Sequence, residues 1–146
     1  AALGRCEADT VVLVHDAARP LTPPQVTERV IDAVAGGAGA VIPVLPVTDT
    51  LKTVDASGVV VGTPRRSDMV AVQTPQGFRW DVLIRAHEEG ASLGADEARA
   101  ATDDAGLVEA IGGSVQTVAG DELSLKVTRP LDLAIARLLA DQEQAD

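Results

Sequence analysis

The sequence predicts an α/β domain in which a mostly parallel β-sheet is flanked by helices and a two-stranded β-ribbon projects from it. Short, continuously apolar, β-branched segments alternate along the chain with helical patterns, which is typical of a parallel sheet covered by helices. The middle of the chain differs, because two valine-rich segments there flank a short turn. That arrangement indicates an antiparallel ribbon.

The first strand, helix and second strand are predicted within residues 11–44. Val11–Val14 is a β-branched run, and residues 40–44 form a second apolar segment. Between them, Thr22 and two prolines mark a helix start, and two glycines mark its end. The predicted apolar stripe of this helix is Val26, Val30, Ile31 and Val34. This order predicts a βαβ unit whose two strands run parallel.

The ribbon is predicted from residues 47–54 and 59–61, with the turn at residues 55–58. An isolated two-stranded ribbon is only marginally stable in water. We therefore expect it to pack against another surface, such as a second subunit.

The remaining elements follow from the same patterns. Further strands are predicted at 69–73, 115–118 and 123–127, with a turn at 74–77. Helices are predicted at 80–89, from Thr102 to Ile111, and after Thr128, whereas residues 91–101 are predicted to be loop with some helix. The predicted apolar stripe of the last helix is Leu131, Leu133, Ile135, Leu138 and Leu139.

Length, charge and cysteine content exclude several classes of protein. The chain has 146 residues, 46% of them hydrophobic, which suits one domain over residues 1–146. No apolar run approaches the roughly 18 residues of a membrane-spanning helix. A net charge of −10 argues against nonspecific nucleic-acid binding. The single cysteine, Cys6, forms no internal disulfide, and no signal peptide pattern is present, so we expect a cytoplasmic protein.

Polar residues follow the first strand, at the sheet edge where open α/β proteins bind ligands. Asp16 and Arg19 lie three residues apart there, directly after His15. The carboxylate could accept hydrogen bonds from hydroxyl groups or help hold a cation, and the guanidinium could bind phosphate. Alternatively, Asp16 and Arg19 form a local ion pair. The residue types alone do not distinguish a ligand site from a local ion pair.

Other polar residues are also compatible with two interpretations. Thr50 and Lys52 would share one face of the ribbon, where they suit either a phosphate or an exposed surface. The same alternatives apply to Arg65 and Arg66. The segment from Thr102 to Asp104 is better explained as a helix cap than as a metal site. No zinc, dinucleotide or nucleophile-triad pattern is present.

Lys126 lies within an apolar segment directly before a helix. A charge in a buried strand is costly unless it is paired. We therefore expect Lys126 to point into a polar cleft near the helix N-terminus.

Five ordered motifs together resemble the 2-C-methyl-D-erythritol 4-phosphate cytidylyltransferase family. They are H-D-A-A-R-P at 15–20, D-T-L-K at 49–52, T-P-Q-G-F at 74–78, T-D-D-A at 102–105 and K-V-T at 126–128. The resemblance implies a Rossmann-like fold of the nucleotide-diphospho-sugar transferase type. It also implies transfer of a cytidylyl group from CTP to methylerythritol phosphate with Mg²⁺, in non-mevalonate isoprenoid biosynthesis.

The resemblance also implies roles for single residues. Arg66 and Lys126 would position the acceptor phosphate for attack, as the catalytic residues. Asp16, Arg19, Thr50 and Thr74 would bind the acceptor. Residues 47–62 would form an arm that clasps a second subunit and carries Thr50 and Arg66 into the neighbouring site, so the protein is expected to be a homodimer.

One departure from the family pattern concerns the nucleotide. Family members begin with a strand and a glycine-rich loop that bind CTP, and residues 1–10 resemble neither. The chain is therefore expected to correspond to the acceptor-binding and dimerisation part of a larger cytidylyltransferase domain, and to be inactive alone. Two alternatives are a ribitol 5-phosphate cytidylyltransferase and a non-catalytic dimerisation fragment. The sequence does not identify metal ligands.

Overall fold

The computed structural model describes residues 6–90 and 102–143. The strands are β1 (Val11–Val14), β2 (Ala40–Pro46), β3 (Thr53–Val54), β4 (Val60–Gly62), β5 (Val70–Val72), β6 (Gln76–Arg79) and β7 (Val115–Ala119). The helices are α1 (Pro24–Ala35), α2 (Trp80–Gly90), α3 (Asp104–Ala110) and α4 (Pro130–Glu143). Short 3₁₀ turns occupy Arg66–Asp68 and Glu122–Ser124. The predicted loop at 91–101 lies outside the described residues.

The main sheet has five strands, and β2 is its central member. Along one edge β2 pairs in parallel with β7. Along the other edge it pairs in antiparallel fashion with β6 at Ala40–Val41 and with β5 at Val44–Pro46. β1 then pairs in antiparallel fashion with β6. Since β5 and β6 share one edge of β2, residues 73–75 form an interruption in that edge.

The predicted α/β sheet flanked by helices is confirmed. β1, β2 and β7 run in the same direction, as the βαβ prediction requires. The neighbouring strands are nevertheless mixed in direction, because β6 lies between β1 and β2 and is antiparallel to both. β6 was not predicted, and its first two residues fall in the turn predicted at 74–77. Its short Q-G-F-R segment has neither alternation nor an apolar run, so no local pattern reveals the strand.

Helices cover both faces of the sheet. Ala40 and Val41 are adjacent in β2 and point to opposite faces, and each belongs to a different buried cluster. On one face α1 buries Val30 and Val34 against Val41. On the other face the cluster comprises Ala40, Phe78, Leu83, Ala86, Ala105 and Val108, from the sheet, α2 and α3. Ile31, which was predicted to belong to the α1 stripe, is instead 37% exposed.

A ribbon is present as β3 and β4, which pair with each other outside the main sheet. Its first strand is shorter than predicted, because residues 47–52 do not form a strand and Thr50 and Lys52 therefore do not share a strand face. Its turn is closed by Asp55, whose Oδ1 accepts hydrogen bonds from the backbone N–H groups of Ser57 and Val59 at 2.9 and 3.0 Å. Gly58 in this turn has φ +85°, a conformation that glycine adopts without strain. Four valines of the ribbon are exposed: Val54, Val59, Val60 and Val61.

Three sequence predictions about the second half are wrong. Residues 123–127 do not form a strand, since Glu122–Ser124 is a 3₁₀ turn followed by irregular backbone. Asp103 rather than Thr102 caps α3, because its Oδ1 accepts from the N–H of Gly106 at 2.8 Å. The apolar stripe of α4 is not buried among the described residues: Leu131, Leu133, Ile135 and Leu138 are exposed. No helix among residues 6–90 and 102–143 is long and apolar enough to cross a membrane.

We expect Gly77→Ala to destabilise the fold by about 1–3 kcal/mol, because overpacking a filled core forces its neighbours apart. A Cβ at Gly77 would overlap Val30 Cγ1 and would lie 3.2 Å from Val34 Cγ2, both on α1. Urea unfolding measures this effect. In a Val30→Ala background the added cost of Gly77→Ala should shrink, and an equal cost in both backgrounds would exclude the overlap as its cause.

Candidate functional site

A polar cleft of about 360 Å³ opens where β1 ends and where the edge of β2 is interrupted between β5 and β6. The N-terminus of α3 and the segment that contains Lys126 close its other sides. The cleft is lined by Val14, His15, Asp16, Arg19, Val72, Gln73, Thr74, Gln76, Thr102, Asp103, Asp104 and Lys126. It lies at the carboxyl end of β1, where α/β sheets bind ligands.

Lys126 and Asp16 form the central ion pair of this cleft. Lys126 Nζ lies 3.0 Å from Asp16 Oδ2, and Arg19 Nε lies 3.4 Å from the same oxygen. The hydrogen bond from Lys126 lowers the pKa of Asp16, burial opposes this, and the charges of Lys126 and Arg19 add to the lowering. The prediction that Lys126 points into a polar cleft is therefore confirmed, although its segment is not a strand.

Thr74 fixes the loop that contains Asp16. Its Oγ1 accepts a hydrogen bond from the backbone N–H of Asp16 at 3.0 Å and lies 2.9 Å from His15 Nδ1. These bonds connect the backbone of the Asp16 loop to the interruption between β5 and β6. The Asp16 side chain lines the cleft.

Arg19 is bonded mainly to the protein backbone. Its side chain is 11% exposed, Nη1 donates to the carbonyl of Ser124 at 2.6 Å, and Nη2 donates to the carbonyl of Val72 at 3.4 Å. Of the two alternatives from the sequence, these contacts favour the local ion pair with Asp16. They also connect the β1 loop, the end of β5 and the segment before Lys126.

Two buried glutamines, which the sequence analysis missed, support the walls of the cleft. Gln76 Nε2 donates to Asp103 Oδ2 at 2.8 Å, and its Oε1 accepts from the N–H of Ala105 at 3.1 Å. Gln73 similarly bonds to both backbone groups of Asp121. A sequence signal existed, because both flank Thr74-Pro75 directly after an apolar strand.

The acidic residues at α3 are engaged within the protein. Asp103 caps the helix and accepts from Gln76, and Asp104 Oδ1 lies 2.8 Å from His87 Nε2. Within the described part of the chain, no group of three or more His, Cys, Asp or Glu residues could hold a metal ion. These contacts support the helix-cap interpretation over a metal site.

Two of the six predicted site residues lie away from the cleft. Thr50 is exposed in the segment before β3. Arg66 donates to the carbonyl of Thr48 at 2.9 Å and borders a second concavity beside Met69 and Val70. The other four, Asp16, Arg19, Thr74 and Lys126, line the cleft together.

The cleft combines an ammonium group, a carboxylate and hydroxyl groups around a volume that suits a small molecule. An ammonium group binds phosphate, and carboxylate and hydroxyl groups bind the hydroxyls of a polyol. The fold and this site define an α/β domain with a polar cleft at the strand ends, of a size that suits a small molecule.

Comparison with known proteins identifies the family. The family model described as IspD, 2-C-methyl-D-erythritol 4-phosphate cytidylyltransferase, matches residues 2–142. The chain belongs to this family.

The similar proteins carry the same description. The chain is 53% identical over 131 residues to 2-C-methyl-D-erythritol 4-phosphate cytidylyltransferase of Rhodococcus jostii (strain RHA1), covering 90% of this chain and 55% of that one. It is 56% identical over 138 residues to the protein of the same name from Frankia casuarinae, covering 94% of this chain and 49% of the relative. The chain thus spans about half the length of these curated relatives.

Solved structures agree on the fold. The crystal structure of the enzyme of this name from Thermus thermophilus matches with a TM-score of 0.76 at 40% identity, over 90% of this chain and 62% of that chain. The corresponding structure from Francisella tularensis matches with a TM-score of 0.81 at 28% identity, over 92% and 61% of the two chains.

We expect the Asp16–Lys126 pair to give a pH-dependent part of the folding stability. Because the pKa of Asp16 is lowered in the folded state, the pair stabilises the fold above the ordinary pKa of aspartate. This contribution is lost as the pH falls through the lowered pKa. The difference in unfolding free energy between wild type and Asp16→Asn should therefore be present at neutral pH and shrink in acid.

Carboxyl ¹³C NMR measures the cause directly. In Lys126→Met the pKa of Asp16 should rise toward its ordinary value, whereas in Arg85→Met, which removes an exposed charge from α2, it should not change. An Asp16 pKa that is the same in wild type and Lys126→Met would contradict this account of the cleft.

Proposed function

We propose that the intact protein transfers a cytidylyl group from CTP to 2-C-methyl-D-erythritol 4-phosphate. The products are 4-diphosphocytidyl-2-C-methyl-D-erythritol and pyrophosphate, and the reaction belongs to non-mevalonate isoprenoid biosynthesis. Membership of the family supports this proposal. The observation that carries it is the cleft in which Lys126 and Asp16 meet, because its groups match those of a polyol phosphate.

In this proposal the cleft binds the acceptor. The Lys126 ammonium faces the acceptor phosphate, while Asp16 and Thr74 bind its hydroxyl groups. An oxygen of that phosphate attacks the α-phosphorus of CTP, the new P–O bond forms, and the bond to the bridging oxygen of pyrophosphate breaks. The nucleophile is already an anion, so the reaction depends on positioning and charge stabilisation rather than on a general base.

Arg19 has a different role in this proposal from the one that the resemblance implied. Its Nη1 and Nη2 groups donate to the carbonyls of Ser124 and Val72, and its Nε faces Asp16. We therefore assign Arg19 to the orientation of Asp16 and of the segment before Lys126. Direct contact between Arg19 and the acceptor is not needed.

The proposal includes Mg²⁺ only as the usual partner of a nucleoside triphosphate. The carboxylates at the described cleft do not form a metal site of their own, since Asp16 pairs with Lys126 and Asp103 caps α3. When bound with CTP, the ion would supply charge neutralisation on the departing phosphates. The proposal also places the protein in the cytoplasm, in line with a single cysteine, which is exposed.

We further propose that the ribbon forms a homodimer contact. Its exposed valines leave apolar surface that a second copy would cover. Thr50 and Arg66 lie outside their own cleft, and in this proposal they complete the cleft of the partner. Arg66 would then be the second cation at the acceptor phosphate.

Pyrophosphate release by the intact protein, with CTP and Mg²⁺, tests the reaction. We expect turnover with methylerythritol phosphate, with ribitol 5-phosphate a poor acceptor. Lys126→Ala should lower kcat/KM by roughly 100-fold or more, because it removes charge stabilisation at the acceptor phosphate. Arg85→Ala is the matched control, because it also removes one positive charge, but from the exposed face of α2. This variant should retain activity.

The acceptors separate the alternatives. Faster turnover with ribitol 5-phosphate would reassign the substrate. Release of no pyrophosphate with either acceptor would favour a non-catalytic dimerisation protein.

The arm prediction concerns assembly. Deletion of residues 49–62 should convert a dimer to a monomer in light scattering, because it removes the exposed valines of the ribbon. Circular dichroism should show that the main sheet remains folded, since the ribbon is separate from that sheet. A dimer that persists after the deletion would place the contact elsewhere.

A further inference from the structure

The segment that presents Lys126 is not part of the sheet, although the sequence predicts a strand there. No strand pairing therefore holds it in place. We propose that the buried side chain of Gln73 is a positioning residue that fixes this segment and thereby sets the place of the Lys126 ammonium. The role in catalysis rests on the proposed function above.

Gln73 substitutes for the missing strand pairing. Its Nε2 donates to the carbonyl of Asp121 at 2.8 Å, and its Oε1 accepts from the N–H of Asp121 at 3.0 Å. The backbone N–H of Gln73 donates to the carbonyl of Pro43 in β2 at 2.8 Å. One amide side chain thus makes the two bonds that a neighbouring strand would make, and it is itself attached to the central strand.

The constraint extends from Asp121 toward Lys126 through further bonds. Asp121 Oδ1 accepts from the N–H of Leu123 at 2.9 Å, and its carbonyl accepts from the N–H of Ser124 at 3.0 Å. Beyond this turn, the N–H of Val127 donates to the carbonyl of Ala18 at 2.8 Å. Arg19 Nη1 also donates to the carbonyl of Ser124 at 2.6 Å. Lys126 therefore lies between attachments at Ser124 and Val127, and Gln73 fixes the turn from which this segment starts.

Gly120 shows that space is reserved for the Gln73 amide. A Cβ at Gly120 would overlap Gln73 Oε1 and would lie 3.0 Å from the carbonyl oxygen of Val44. Gln73 is 5% exposed, so its amide cannot move aside into solvent. A substitution at Gly120 therefore displaces the same contact without changing the hydrogen-bonding groups of Gln73.

Three variants test the proposal in the intact protein. Gln73→Met keeps the length of the side chain and removes both bonds. Gln73→Glu keeps the acceptor and removes the donor to the Asp121 carbonyl. Gly120→Ala displaces the Gln73 amide by placing a Cβ against its Oε1. Val34→Ala is the control, because it creates a cavity under α1 in a buried cluster to which no cleft residue belongs.

The first readout is the NMR signal of the Lys126 side chain in protein with ¹³C- and ¹⁵N-labelled lysine. The sequence of this chain has two lysines, Lys52 and Lys126, so it gives two lysine side-chain signals. The signal that is lost in Lys126→Arg belongs to Lys126. In wild type the Lys126 signal should follow the titration of Asp16. In the three variants that coupling should weaken or disappear, whereas in Val34→Ala it should persist.

The second readout is steady-state kinetics. A displaced ammonium should lower kcat by roughly 10- to 100-fold, as expected for misplacement on the order of 1 Å, and leave the KM for CTP unchanged. Gly120→Ala should add little to this loss in the Gln73→Met background, because the overlap is then relieved. Val34→Ala should retain kcat at a temperature where it is folded.

The outcomes are distinct. An unchanged Lys126 signal in Gln73→Met, or an unchanged kcat, overturns the positioning role. Failure of all three variants to fold also overturns it, since Gln73 would then be required for the fold itself. If wild type releases no pyrophosphate, the proposed function fails, and the NMR readout still decides whether Gln73 fixes the Lys126 segment.

Discussion

The cleft depends on one constraint, which is the interruption of the sheet at residues 73–75. β5 and β6 occupy the same edge of β2, and between them the chain leaves the regular ladder. The interruption turns polar side chains toward the end of β1 where a continuous strand would supply only backbone bonds. Thr74 then ties down the Asp16 loop, and the glutamines on either side of Thr74-Pro75 tie down the segments that contain Asp121 and Ala105. The interruption at residues 73–75 therefore positions both walls of the cleft, the Asp121 segment and the N-terminus of α3.

In this cleft, hydrogen bonds from uncharged side chains hold the backbone in place, and a few charged groups determine which ligand groups can bind. The glutamines and Thr74 are uncharged, so they fix the neighbouring backbone without competing for a phosphate. Arg19 is cationic, but its terminal nitrogens contact carbonyl groups. The Lys126 ammonium, at 48% exposed, keeps access to a ligand while it pairs with Asp16. A ligand phosphate would therefore meet a cation whose place is already determined.

The sequence predicted the elements and motifs whose patterns are local. Residues 11–14 and 40–46 have apolar runs, and the ribbon has a turn between valines, so each was recognisable without tertiary information. β6 was missed because its Gln-Gly-Phe-Arg segment becomes a strand only by lying between β1 and β2. The strand predicted for 123–127 was wrong for the opposite reason. The segment is apolar, but it begins in a 3₁₀ turn, and its backbone bonds go to Arg19 and Ala18 instead of to a neighbouring strand. Asp16 and Lys126 are 110 residues apart in the sequence and could be brought together only by the family resemblance or the fold.

The turn of the ribbon has a consequence for association. Asp55 Oδ1 accepts hydrogen bonds from the hydroxyl and N–H of Ser57 and from the N–H of Val59, and these bonds lower the pKa of Asp55, that from the Ser57 hydroxyl most. These bonds fix the conformation of the turn within the chain itself, and the lowered pKa of Asp55 keeps its carboxylate ionised, and able to accept them, in mild acid. Ordering a flexible segment on contact would cost conformational entropy. In the proposed dimer, a turn that is already fixed by its own bonds would avoid that cost. A modest apolar area at Val59, Val60 and Val61 would then contribute more of its burial energy to the contact.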